Sequence, residues 1–169
     1  MREQQTSLQP SASDEVPMLS DVDRQLFNAV MRADAHGVSQ AIACGANVNT
    51  QDALLRTPLH LASRDNRTTI VDVLITAGAD IESRDANGAT PLHYAALNFH
   101  RLIDAGKLLV ENGADVEAQT ARGKTPYGIA IRASNQNFAE MLGDAVVLRS
   151  NHVHRLESRR DSDSRKRGK

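Results

Sequence analysis

Thr57-Pro58-Leu59-His60 returns as Thr90-Pro91-Leu92-His93 after 33 residues, and Gly78-Ala79-Asp80 returns as Gly113-Ala114-Asp115 after 35. No other feature constrains the fold as much. A period of that length means that each unit is one supersecondary element, too small to bury its apolar face alone and stable only in a stack. Composition agrees with this reading. Aromatic residues make up 3% of the 169-residue chain and tryptophan is absent. The core must therefore be assembled from Ala, Leu, Ile and Val in thin layers.

One unit can be read physically. Thr57 is a natural N-cap, and Pro58 sits at the first helical position, where a missing N–H costs nothing. Leu59 and Ala62 share a face, and the small Ala62 admits a neighbouring helix. That first helix is about two turns long, too short to persist without packing. Arg64-Asp65-Asn66-Arg67 makes the turn, and Ile70, Val71, Leu74 and Ile75 follow at helical spacing. Gly78 falls where a left-handed C-terminal residue is wanted. Asp85 and Asn87-Gly88 then signal a tight turn before the next Thr-Pro. Each unit reads as helix, turn, helix and projecting loop.

On these phrases, together with Thr125-Pro126-Tyr127-Gly128-Ile129-Ala130 and the Gly-Ala-Asn/Asp triplets at 45, 78 and 113, the chain resembles the ankyrin repeat family. The resemblance implies an all-α solenoid of helix-turn-helix units with β-hairpin-like loops. Four repeats with degenerate ends are expected: approximately 21–52, 53–85, 86–120 and 121–148. The first lacks Thr-Pro, and its Leu26 and Ala29 stand where Leu59 and Ala62 lie. The third has two extra residues within its inter-helix turn. The fourth keeps Phe138, Met141 and Leu142 but reaches no Gly-Ala-Asp. Asn66 replaces a turn glycine, tolerable because Asn also enters the left-handed region.

Residues 1–20, rich in Ser, Gln and Pro, read as a flexible leader. They contain no apolar run of the kind a signal peptide needs. From Arg149 the composition turns basic, with eight cations against three acids. The tail 149–169 is net +5 and the remainder -6, although the whole chain is only -1. Its composition is that of a disordered segment. One cysteine, Cys44, excludes an intramolecular disulfide and fits a reducing, intracellular setting. Its place before a helix-ending glycine suggests a small packing residue.

Catalytic readings find little support. His60 and His93 have no acid or nucleophile spaced for a triad, and the resemblance makes them structural. His152 and His154 are too few to hold a metal without further ligands. Neither phosphate-binding glycine pattern occurs. No enzyme, cofactor, metal or small-molecule substrate is expected.

What remains is a binding surface. The resemblance places contacts on loop tips and the exposed side of each first helix. That assigns Ala53, Leu54, Arg56, Arg64 and Asp65 in the second unit; Ala86, Asn87, Ala89, Leu97 and Asn98 in the third; and Ala121, Arg122, Lys124, Arg132 and Ala133 in the fourth. The first unit offers Ser20, Asp21, Asp23, Met31 and Arg32. Leu55 occupies a family glycine position, so Leu54 and Leu55 either fold back onto the stack or await a partner. The sites of units two to four hold five cations and one acid on a stack that is net -4. This is either a basic strip favouring an acidic partner surface or a solvated face.

The expected function is non-catalytic: an adaptor or stoichiometric inhibitor, monomeric alone, that binds a partner protein. The alternative is a nuclear or chromatin-associated factor whose tail contacts nucleic acid or import receptors. Arg159-Arg160 with Arg165-Lys166-Arg167 resembles a bipartite import signal, and Ser162 lies in a basophilic kinase context. The expected localisation is intracellular: cytoplasmic, and nuclear if the tail acts as an import signal.

Overall fold

The computed structural model describes residues 19–98 and 102–145. The leader, 99–101, the histidines at 152 and 154, Ser162 and the basic clusters of the tail all lie outside those residues. Seven helices are bounded: α1 Asp21–Met31, α2 Ala35–Ala43, α3 Pro58–Arg64, α4 Thr68–Thr76, α5 Pro91–Ala96, α6 Asp104–Glu111 and α7 Pro126–Arg132. An eighth, α8, runs from 136 through 145. No strand occurs among the described residues. The helices pair in sequence as four layers. Inner helices pack α1 on α3, α3 on α5 and α5 on α7, while outer helices pack α2 on α4 and α4 on α6.

Recurrent spacing becomes columns through the stack. Leu26, Leu59 and Leu92 are fully buried at equivalent positions, beside the alanine column Ala29, Ala62, Ala95 and Ala130. The leucines supply burial, about 2 kcal/mol for each side chain. The alanines let inner helices approach closely. In the outer row, Leu74, Leu109 and Leu142 form the matching column, all buried. Tyr127 and Ile131 stand at the positions of buried Leu92 and Ala96, yet they are 49% and 54% exposed. Among the described residues no further layer covers them.

The helices stop where the sequence predicts. Gly45, Gly78 and Gly113 follow the outer helices with φ of 89°, 88° and 96°, a region open to glycine at little steric cost. Asn66 also takes the left-handed conformation, φ 51°. It has a second role that its own repeat does not reveal: Asn66 Oδ1 accepts the Ala105 N–H at 2.8 Å. It thus caps α6 of the next repeat, whose own N-cap residue, Ile103, supplies no side-chain bond. In keeping with the longer third segment, α5 ends at Ala96 and α6 begins at Asp104, whereas α3 ends at Arg64 and α4 begins at Thr68.

Cys44 is exposed, which corrects its assignment as a packing residue. It is the C-cap of α2, a position that faces outward on the last turn, as Ala77 does on α4.

Candidate functional site: the concave face and the finger tips

Each projecting loop is closed on itself by main-chain bonds. In the first finger, Asp52 N–H donates to the Arg56 carbonyl (3.0 Å) and Leu55 N–H to the Asp52 carbonyl (2.8 Å). The Asp52 carboxylate fills the loop, accepting from the Leu54 and Arg56 amides at 2.9 Å each. Asp85 does the same in the second finger for Asn87 and Ala89, both at 2.8 Å. Burial pushes both carboxyls up, but the hydrogen bonds they accept outweigh it and hold them below the ordinary value. Fingers are then stitched to one another. Ala86 N–H donates to the Leu54 carbonyl (3.0 Å) and Ala121 N–H to the Asn87 carbonyl (2.9 Å). Arg84 adds a brace, its Nη1 donating to the carbonyls of Gly88 and Gln119. The three tips form one rigid edge.

The two histidines tie the inner helices to this edge. His60 Nδ1 accepts the Thr57 amide at 3.1 Å, so the ring proton sits on Nε2 and is donated to the Ala89 carbonyl at 3.0 Å. His93 repeats this with the Thr90 amide and the Lys124 carbonyl. Burial lowers both imidazole pKa values, partly offset by the carbonyls that accept from Nε2. A protonated ring would turn an acceptor toward the cap amide into a second donor. Both residues are fully buried and hold layers together. Gly128 takes their position in the fourth repeat, where the Thr125 hydroxyl accepts the Gly128 amide instead.

Most of the assigned tip residues are exposed: Ala53, Leu54, Ala86, Asn87, Ala121, Arg122 and Lys124. Leu97 at the C-cap of α5 and Arg132 at the end of α7 are exposed, as are Met31 and Arg32 at the end of α1. Leu54 and Leu55 are 54% and 47% exposed, so neither folds back onto the stack. Leu55 holds φ 57° at the place where Gly88 and Gly123 stand in the other fingers. Such a conformation is sterically costly for a leucine.

Two of the placements differ from the exposed positions expected of them. Ala89 and Asn98 are buried. Ala89 lies at the finger base, its amide held by Asp85, and the Asn98 Nδ2 donates inward to the Arg64 carbonyl at 2.9 Å. Arg56 is tied to Asp52, with Nη2–Oδ2 at 2.6 Å. Arg64 is tied to Asp65 at 2.8 Å, which raises the Arg64 pKa further despite some burial. At the first repeat, Ser20 caps α1, its Oγ accepting the Asp23 amide, and Asp23 Oδ1 accepts the Asn47 amide from the loop after α2. The basic strip of the sequence therefore contracts. Of its five cations, Arg122, Lys124 and Arg132 make no ion pair among the described residues, and all three belong to the fourth repeat.

Sequence reasoning missed Tyr94 and Ile129. They line an open groove of about 350 Å³ with Asn87, Leu97, Arg122 and Lys124. The Tyr94 hydroxyl donates to Asp85 Oδ2 at 2.9 Å, and its ring stands edge-on to His60 with centroids 5.0 Å apart. Burial and that carboxylate push the phenol up to about 12. The signal was present in the register: Tyr94 and Ile129 repeat the position of Leu61, one residue past the motif histidine.

These stacked helix pairs with hydrogen-bonded projecting loops define a helical repeat protein. A family model described as ankyrin repeats, in three copies, matches residues 26–120. The chain belongs to the ankyrin repeat family, and its fourth layer, α7 with α8, extends the stack beyond the matched segment. Ankyrin repeats are generally protein–protein interaction modules. No match is found among curated proteins. No described helix is long and apolar enough to cross a membrane.

Proposed function

We propose that the protein is a non-catalytic docking module that binds a partner protein stoichiometrically, as an adaptor or as an inhibitor masking the partner, through its finger tips and concave face. The observation that carries this is the Leu54-Leu55 tip. Two leucines project from a finger that is otherwise locked by its own hydrogen bonds, one of them in a backbone region that disfavours it. Strain of this kind persists where the surroundings over-determine it and is concentrated at clamps and binding sites. Exposed apolar tips gain free energy only when another surface covers them.

The test is affinity capture from cell lysate with the full chain, the Leu54→Ser/Arg122→Glu/Lys124→Glu variant and a chain ending at Leu148. Arg56 is left intact because its pairing with Asp52 supports the finger. Recovery of one protein by the full chain and the shortened chain, with loss in the triple variant, is the expected result. Equal recovery by all three would refute concave-face docking. The alternative reading, a nuclear factor acting through Arg159, Arg160, Arg165, Lys166 and Arg167, rests on the sequence of the tail alone. It requires instead that the shortened chain lose its partners.

A further inference from the structure

Charge on the concave face is distributed unevenly once ion pairs are counted. The first finger is neutralised internally by Asp52 and Arg56, and the rim of α3 by Arg64 and Asp65. Asp85 lies at the groove wall, but its carboxylate is enclosed by two amides and the Tyr94 hydroxyl. Arg122 and Lys124 on the third finger, and Arg132 at the end of α7, are exposed and unpaired among the described residues. Arg122 and Lys124 line the same groove as Tyr94, Leu97 and Ile129. Apolar lining beside two unpaired cations is complementary to one kind of ligand, an apolar residue next to an acid.

We infer that this end of the concave face takes an acidic segment of the partner, laying an apolar side chain on Tyr94, Leu97 and Ile129 and bringing a carboxylate to Arg122 and Lys124. The inference rests on the docking function proposed above and assigns it a subsite and a ligand chemistry. The apolar lining supplies burial. The cations supply orientation and encounter rate, and they oppose basic competitors. The fixed Asp85–Tyr94 bond keeps the phenol from turning into the groove, so the lining is shaped before binding. The fingers' mutual hydrogen bonds hold Arg122 and Lys124 on a backbone that need not reorganise.

The experiment uses the full chain and a random-sequence peptide library displayed on phage, followed by titration of selected peptides as labelled synthetic probes. Selected peptides are expected to carry Asp or Glu beside a large apolar residue. Arg122→Glu/Lys124→Glu should weaken them about tenfold, because two exposed attractions become repulsions, and rising salt should weaken the unaltered chain. Both substituted side chains are exposed, and an unchanged melting curve separates lost binding from lost folding. Peptides that are basic or uncharged, or that ignore the double reversal while Leu54→Ser abolishes binding, would overturn the acidic subsite and leave concave docking standing. Peptides insensitive to both variants would remove the docking function with it. An oligothymidine probe bound more tightly than any peptide, and lost in the double reversal, would overturn the inference in favour of a nucleic-acid site.

Discussion

Gly106 lies inside α6, where alanine would be the better helix former by about 1 kcal/mol. Its place in the stack reverses that preference. A methyl group built on Gly106 would lie on Cε2 of Phe138 and 2.5 Å from its Cζ. Phe138 is fully buried in α8, and its ring has no solvent to turn into. Overpacking of a closed core typically costs 1–3 kcal/mol, and an overlap with two ring atoms falls at the upper end. The net expectation for Gly106→Ala is a loss of about 2 kcal/mol. For a stack of this size that lowers Tm by roughly 6–10 °C. Because layers contact only their neighbours, the loss should be local. Hydrogen exchange should rise in α7 and α8 before α1 to α4. Phe138→Leu combined with Gly106→Ala should recover part of the loss, giving a coupling of about 1 kcal/mol or more between the two sites. A Gly106→Ala chain melting at or above the parent temperature would refute the reasoning.

Three further outcomes can be checked. Leu55→Gly should stabilise by about 1 kcal/mol in a chemical melt, since it relieves a left-handed leucine; Asn66→Gly should not, because it removes the cap on the Ala105 amide, and equal gains would contradict that role. Ser63 Oγ is buried with no hydrogen-bond partner among the described residues, so Ser63→Ala should raise stability by about 1 kcal/mol in urea titration. Stability should also fall as pH drops below 6.5: His60 and His93 have lowered folded-state pKa values, so the unfolded chain takes up protons first. Their contribution is complete above 6.5 and lost toward the folded values. A second decline should begin below 3.8, as Asp52 and Asp85, also lowered, accept protons; melts with no slope between pH 7 and 5 would contradict the neutral, Nε2-protonated rings.

The sequence by itself determined the layer. Thr57, Pro58 and Gly78 act on the few residues beside them, and the spacing of Leu59, Ala62, Ile70 and Leu74 fixes two faces within one unit. A period near 33 residues then makes stacking the only way to bury those faces. What the sequence could not contain is how one layer meets the next. Asn66 capping α6, Phe138 filling the notch at Gly106 and His60 reaching the Ala89 carbonyl all join residues about 30 to 40 apart. A ladder in which Asp23 accepts the Asn47 amide, Asn49 that of Asp80 and Glu82 that of Asp115 likewise joins residues 24 to 33 apart. The binding face was legible to the same extent. Exposed tips followed from loop position, but Ala89 and Asn98 were buried by bonds that bend the finger base and inter-helix turn inward. Five cations could be counted along the chain; which of them stay unpaired depends on Asp52 and Asp65 reaching their partners in space. Only the tertiary structure places Arg122 and Lys124 in one groove with Tyr94, because side-chain proximity is settled by distances that the order of residues does not state.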